Sequence, residues 1–160
     1  MTTKRLAALV TTLLFVALVL SIGIGAAADV HSGTWKMDPA KSKYSPGPAQ
    51  KSVTLKIEAD ENNYKVDSEG VDGAGKPTHI QFEAKFDGKD YPGTGLPAGD
   101  HVSVKRINAN TVQVTMKKGD KPVMTVTSVV SKDGKTRTST FRGKDAEGHV
   151  IHNVVVYDKE

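Results

Sequence analysis

The sequence predicts an all-β fold: an antiparallel up-and-down meander of about eight to ten strands that closes into a barrel. Three observations carry this. Apolar residues recur with a period of two through most of the chain after residue 50. Nearly every break in that pattern holds a tight-turn signal, Asp-Gly or an Asn-rich run, which supplies the positive φ of a hairpin. Beyond the N-terminal segment, no stretch keeps a helical stripe for longer than a turn or two. A β-sandwich is the alternative, but its Greek-key crossings need longer connections than most of those present.

The strands are expected at 32–37, 51–59, 64–72, 78–87, 101–107, 111–118, 122–132, 136–143 and 149–158. Val53, Leu55 and Ile57 alternate with Thr54, Lys56 and Glu58. Ile80, Phe82, Ala84 and Phe86 alternate with Gln81, Glu83 and Lys85. Val102 and Val104 flank Ser103, and Val112, Val114 and Met116 alternate with Gln113, Thr115 and Lys117. Between them stand Asp60-Glu61-Asn62-Asn63, Asp72-Gly73, Asp87-Gly88, Asn108-Ala109-Asn110, Lys118-Gly119-Asp120 and Asp133-Gly134.

Two connections are longer. The first, 38–50, contains Pro39, Pro46 and Pro48; Asp38 with Pro39 behind it reads as the cap of a short helical turn over 39–43. The second, 91–100, is rich in Gly and Pro and is expected to form no regular element. A faint repeat also links Gly70-x-Asp72-x-x-Gly75-x-x-x-His79 to Gly143-x-Asp145-x-x-Gly148-x-x-x-His152. Shared turn chemistry and duplication of a half-barrel both account for it.

With 160 residues, 38% hydrophobic and 25% charged, the composition fits one ordinary domain and excludes collagen, coiled coil and wholesale disorder. Cysteine is absent, which removes disulfides, thiol nucleophiles, cysteine-held metals and a lipidated N-terminal cysteine. At the N-terminus, Lys4 and Arg5 precede the apolar run 6–20, and Ala26-Ala27-Ala28 before Asp29 has the A-x-A form of a cleavage site. Residues 1–28 are therefore read as a signal peptide, or as an uncleaved N-terminal anchor, since 6–28 carry no charge. The folded domain, 29–160, is expected to be exported, periplasmic or secreted. Loss of Lys4 and Arg5 lowers the formal charge from +4 to +2, and the other lysines are scattered among acids, which sets nucleic acid aside.

Gly33-Thr34-Trp35-Lys36 opens the first strand and Val154-Val155-Val156-Tyr157 closes the last. These ends resemble those of the calycin barrels, the lipocalins and the intracellular fatty-acid-binding proteins. With Lys41-Ser42-Lys43, Pro46-Gly47-Pro48, Asp87-Gly88-Lys89 and Asp133-Gly134-Lys135, the chain also resembles short secreted bacterial lipocalin-like proteins. The resemblance implies a lipocalin-like barrel across 32–158. It places Trp35 over the closed end beneath a late-strand cation, with Arg142 and Lys159 as candidates. It also turns the Tyr157 face of the last strand inward. Two departures stand out. Val155 occupies the position of the arginine that helps hold a ligand carboxylate in the fatty-acid-binding pattern. The 38–50 segment is too short and proline-rich for that family's two-helix lid.

Chemistry-bearing constellations are few. His31, His79, His101, His149 and His152 have no metal-ligand spacing and are expected at the surface or at strand ends. No G-x-S-x-G elbow occurs. An enzyme, a metal site and a cofactor are not expected. The candidate site is the barrel interior. Parity puts Ile151, Asn153, Val155 and Tyr157 on one face, and Arg137, Ser139 and Phe141 on another. Phe141 argues that its face is inward, which leaves Arg137 either inside as acceptor of an acidic ligand or solvated at the rim; Arg106 shares that ambiguity. The candidate ligand-binding residues are Phe82, Phe86, Arg106, Met116, Arg137, Phe141, Asn153 and Tyr157. Two functions compete: an exported monomer binding a small, mainly apolar ligand inside the barrel, or a ligand-free structural or interaction protein of the cell envelope. A cavity below an inward Arg or Tyr favours the first, and a filled barrel the second. Membrane contact is expected only through an uncleaved N-terminal segment.

Overall fold

A computed structural model describes residues 28–145 and 147–160. Ten strands follow one another: β1 (Gly33–Lys43), β2 (Ser52–Ala59), β3 (Asn63–Val71), β4 (Pro77–Lys85), β5 (Asp90–Thr94), β6 (His101–Asn108), β7 (Thr111–Lys118), β8 (Lys121–Val130), β9 (Thr136–Lys144) and β10 (Val150–Lys159). Each pairs antiparallel with its neighbours in sequence, and β1 pairs with β10, so the meander closes into a barrel with no free edge. No helix occurs among the described residues. Residues 1–27, which hold nearly all of the stretch expected to be a signal peptide or anchor, lie outside the described residues.

Alternating strand direction sorts the connections to two ends. Residues 29–32 and the turns at 60–62, 86–89, 109–110 and 131–135 gather at one end, and 44–51, 72–76, 95–100, 119–120, 145 and 147–149 at the other. The first end is closed. Trp35 is fully buried there, its indole N–H donating to the His31 carbonyl at 2.9 Å. Lys159 lies over the indole, Nζ 4.9 Å from the ring centroid. Lys159 is thus the cation expected above the tryptophan; Arg142 instead pairs with Thr125 and His152 toward the opposite end.

Two sequence expectations are corrected. No helical turn forms at 39–43; β1 runs on to Lys43. The capping chemistry is present, with the Asp38 carboxylate accepting the N–H groups of Ala40 at 2.9 Å and Lys41 at 3.3 Å. It serves an irregularity rather than a helix, because Asp38 pairs with Val156 and Lys43 already with Val154. Ser42 bridges the gap: its hydroxyl donates to the Asp38 carbonyl at 2.7 Å and accepts the Val156 N–H at 3.0 Å. Barrel closure against β10 outweighs a one-turn helix that would bury nothing.

The second correction is β5, most of which falls in the stretch 91–100 expected to be irregular. Its pairing is sparse: Gln81 and Phe82 face Thr94 and Gly93 on one side, and Asp90, Tyr91 and Pro92 face Ser103, Val102 and His101 on the other. A ladder this short tolerates Pro92, which has no N–H to give.

The two copies of the repeat form the same turn. Asp72 and Asp145 each accept the N–H four residues on, of Lys76 and His149, on the carboxylate at 2.8 Å. Gly75 and Gly148, at φ +91° and +90°, donate back to the respective Asp carbonyls at 3.1 Å.

Candidate ligand-binding cavity

The period-two pattern sends Val53, Leu55, Ile57, Val66, Phe82, Val114, Met116, Met124 and Val126 inward, but these do not fill the barrel. A cavity of about 820 Å³ remains, bordered by β2, β3, β4, β7, β8, β9 and β10. Its mouth is framed by Tyr44, the Pro46–Pro48 segment, Asp72–Ala74, Pro97, Asp145 and His149. Asn153 anchors that frame by accepting the Ser45 N–H on its side-chain oxygen at 2.9 Å.

The walls are apolar and the closed end of the cavity is polar. Arg137 enters from β9 and is 3% exposed. Its Nη2 donates to the Tyr64 hydroxyl at 2.7 Å, and its Nη1 lies 2.9 Å from His31 Nδ1. The guanidinium Nε and His31 Nε2 are buried without a partner among the described residues. No carboxylate pairs with Arg137 among those residues; its contacts are a phenol and an imidazole. Tyr157, cross-strand partner of Arg137, is also buried, and burial pushes its hydroxyl far up, Arg137 opposing the shift. Ser128 and Ser139 share a hydrogen bond of 2.8 Å nearby.

His31 is fully buried, contrary to the surface or strand-end placement expected for the histidines. Burial, then the neighbouring Arg137, lowers its pKa from 6.5 to about 4. The fold takes it inside because residues 29–32 stop the closed end. Arg106 pairs with Asp29 at 2.6 Å and donates to the Asp60 carbonyl at 2.8 Å, while Ser32 donates to the Ala59 carbonyl at 2.9 Å. The other four histidines have exposed or half-buried side chains. Three of them stand beside carboxylates: His79 and His149 in the groups Asp67–Glu69–His79 and Asp145–Glu147–His149, and His101 at 2.8 Å from Asp100.

The structure therefore sorts the sequence candidates. Phe82, Met116, Arg137, Phe141, Asn153 and Tyr157 border the cavity. Phe86 and Arg106 do not: they stack on each other, guanidinium carbon 4.0 Å from the ring centroid, and close the barrel beneath Tyr64. The side chains overlooked were His31 and Tyr64. Tyr64 was detectable, since it shares parity with Val66 on β3; His31 lies before the first strand, where periodicity says nothing.

No family model matches the chain, and no curated protein does. Among solved structures it is similar to the zebrafish ileal bile acid-binding protein in complex with cholic acid, at a TM-score of 0.50 and 11% identity, over 82% of this chain and 99% of that one. At that identity the likeness is one of fold. What the two share is the barrel fold, which in this chain is closed, antiparallel and ten-stranded.

Proposed function

We propose that this protein is an exported binding protein, not an enzyme, which takes a small, mainly apolar ligand with one acidic group into its barrel. The observation that carries this is the coincidence of an apolar cavity of about 820 Å³ with a buried, carboxylate-free Arg137 at its inner end. Burying a guanidinium without an opposing charge is unfavourable, and a ligand anion supplies one. The apolar body then lies against Phe82, Met116 and Phe141, removing its surface from water at about 25 cal/mol per Å². The mouth segments admit it from the far end. The zebrafish neighbour holds cholic acid, a bulky apolar body with a carboxyl group, which is the kind of molecule this arrangement suits. Val155 in place of the clamp arginine means that Arg137, entering from β9, receives the acid instead. The cavity disfavours the purely structural reading, which calls for a filled barrel.

The test is titration with an environment-sensitive apolar dye, followed by displacement with fatty acids and their alcohols. Saturable binding that disappears in Met116→Trp is expected. Arg137→Ala should weaken acids by about tenfold or more while changing alcohols little. Equal losses for both would remove the acid from the proposal. Absence of any saturable dye binding would move the function to the envelope-structural reading.

A further inference from the structure

We propose that His31 couples binding of an anionic ligand to uptake of a proton, so that the site tightens on anions as pH falls. This rests on the reading that Arg137 receives the ligand's anionic group. Because a guanidinium only donates, His31 Nδ1 must accept from Arg137 Nη1 at 2.9 Å. The imidazole is then neutral, with its proton on Nε2, the atom left without a partner. Protonating Nδ1 in the empty site sets two cations side by side with no carboxylate between them.

The groups facing His31 from every side are few. Arg137, Arg106 and Lys159 oppose its charge, and Asp29 alone favours it, with a carboxylate already engaged by Arg106. The Tyr64 ring meets the imidazole edge-on at 6.3 Å between centroids. An anion at Arg137 adds the missing negative charge to this set. A proton from solvent then goes to Nδ1, which turns from acceptor to donor. Arg137 Nη1 loses that partner, and its N–H is released toward the ligand. The guanidinium then faces the anion, with the imidazolium directly behind it adding its charge. By linkage, whatever raises the proton affinity of His31 on binding raises anion affinity on protonation by the same factor.

The experiment uses decanesulfonate, whose head group stays ionised at every pH tested, with decanol as the neutral counterpart. Calorimetry of residues 29–160 in two buffers of different ionisation enthalpy reads the protons taken up. Sulfonate affinity is expected to rise on the order of tenfold from pH 7 to pH 5, with fractional proton uptake, while decanol binding stays level. His31→Asn keeps an acceptor for Arg137 and should bind sulfonate without the pH dependence. A dependence that survives in His31→Asn overturns the inference, as does a level wild-type curve. Either result leaves the carrier reading standing if both ligands bind saturably; no saturable binding of either overturns both. Should His31→Asn not fold, NMR of the His31 ring in the intact protein decides. Its titration midpoint must move up when sulfonate is added, and a midpoint that stays put overturns the coupling.

Discussion

At the residue scale, the closed end depends on a few side chains with no substitutes. Trp35 is wholly buried and ties its indole N–H to the segment that carries His31. Trp35→Ala should destabilise the fold by about 3–5 kcal/mol, read from chemical denaturation. His31 gives the fold a pH dependence of known sign. Its folded pKa, about 4, lies below the ordinary 6.5, so between those values the unfolded chain binds more protons. Stability is therefore expected to fall as pH drops from 6.5 toward 4, and to lose this slope below 4. His31→Asn should flatten that part of the curve in thermal melts at successive pH values; an unchanged slope would assign it to other groups. Asp38 acts in the same direction, in a lower pH window. Its hydrogen bond with Lys41 holds the carboxyl below the usual range, so its contribution fades only at lower pH.

At the element scale, the ten strands are not equal. β9 and β10 stay in register from Thr136 to Lys144, whereas β5 meets each neighbour over two or three residues. Amide exchange should be fastest in β5 among the strands and slowest in β9 and β10; uniform protection would show that the sparse ladder is compensated by packing. Gly143 marks a second pressure point. It sits at φ +150°, and a Cβ there would come within 2.2 Å of the Val123 carbonyl oxygen and 2.5 Å of Met124 Cα. Gly143→Ala should lower stability by about 1–3 kcal/mol, seen as a reduced denaturation midpoint. Strand parity also explains why six of the eight candidate residues border the cavity. Alternation along β4, β7, β9 and β10 is a local property of the backbone, and one inward residue assigns its whole face.

At the scale of the whole molecule, a barrel wall closed by ten strands encloses more space than its inward side chains occupy. Protein purified from its own host should carry a ligand in native mass spectrometry, with a mass excess that disappears on denaturation. A bare mass from gently handled material would count against tight binding. The all-β class, the meander and most inward faces were legible in the sequence, because each follows from periodicity and turn residues within a few positions of one another; the inward face of β10, with valines on both sides, came only from the resemblance of its end. The Gly-Thr-Trp-Lys opening likewise placed Trp35 correctly. β5 was not legible, because pairing with β4 and β6 overrides the weak propensity of a Pro- and Gly-containing stretch. Neither was the helical turn's replacement at 39–43, where closure on β10 competes with a local cap. Arg137 stood undecided between core and rim until the barrel closed around it. Its partners come from 106 residues earlier in the chain, His31, and 73 residues earlier, Tyr64. The sequence by itself determined which residues alternate and where the chain turns. Only the tertiary structure decided that a guanidinium, an imidazole and a phenol meet at the inner end of an apolar cavity, because local pattern carries no information about contacts made across a closed barrel.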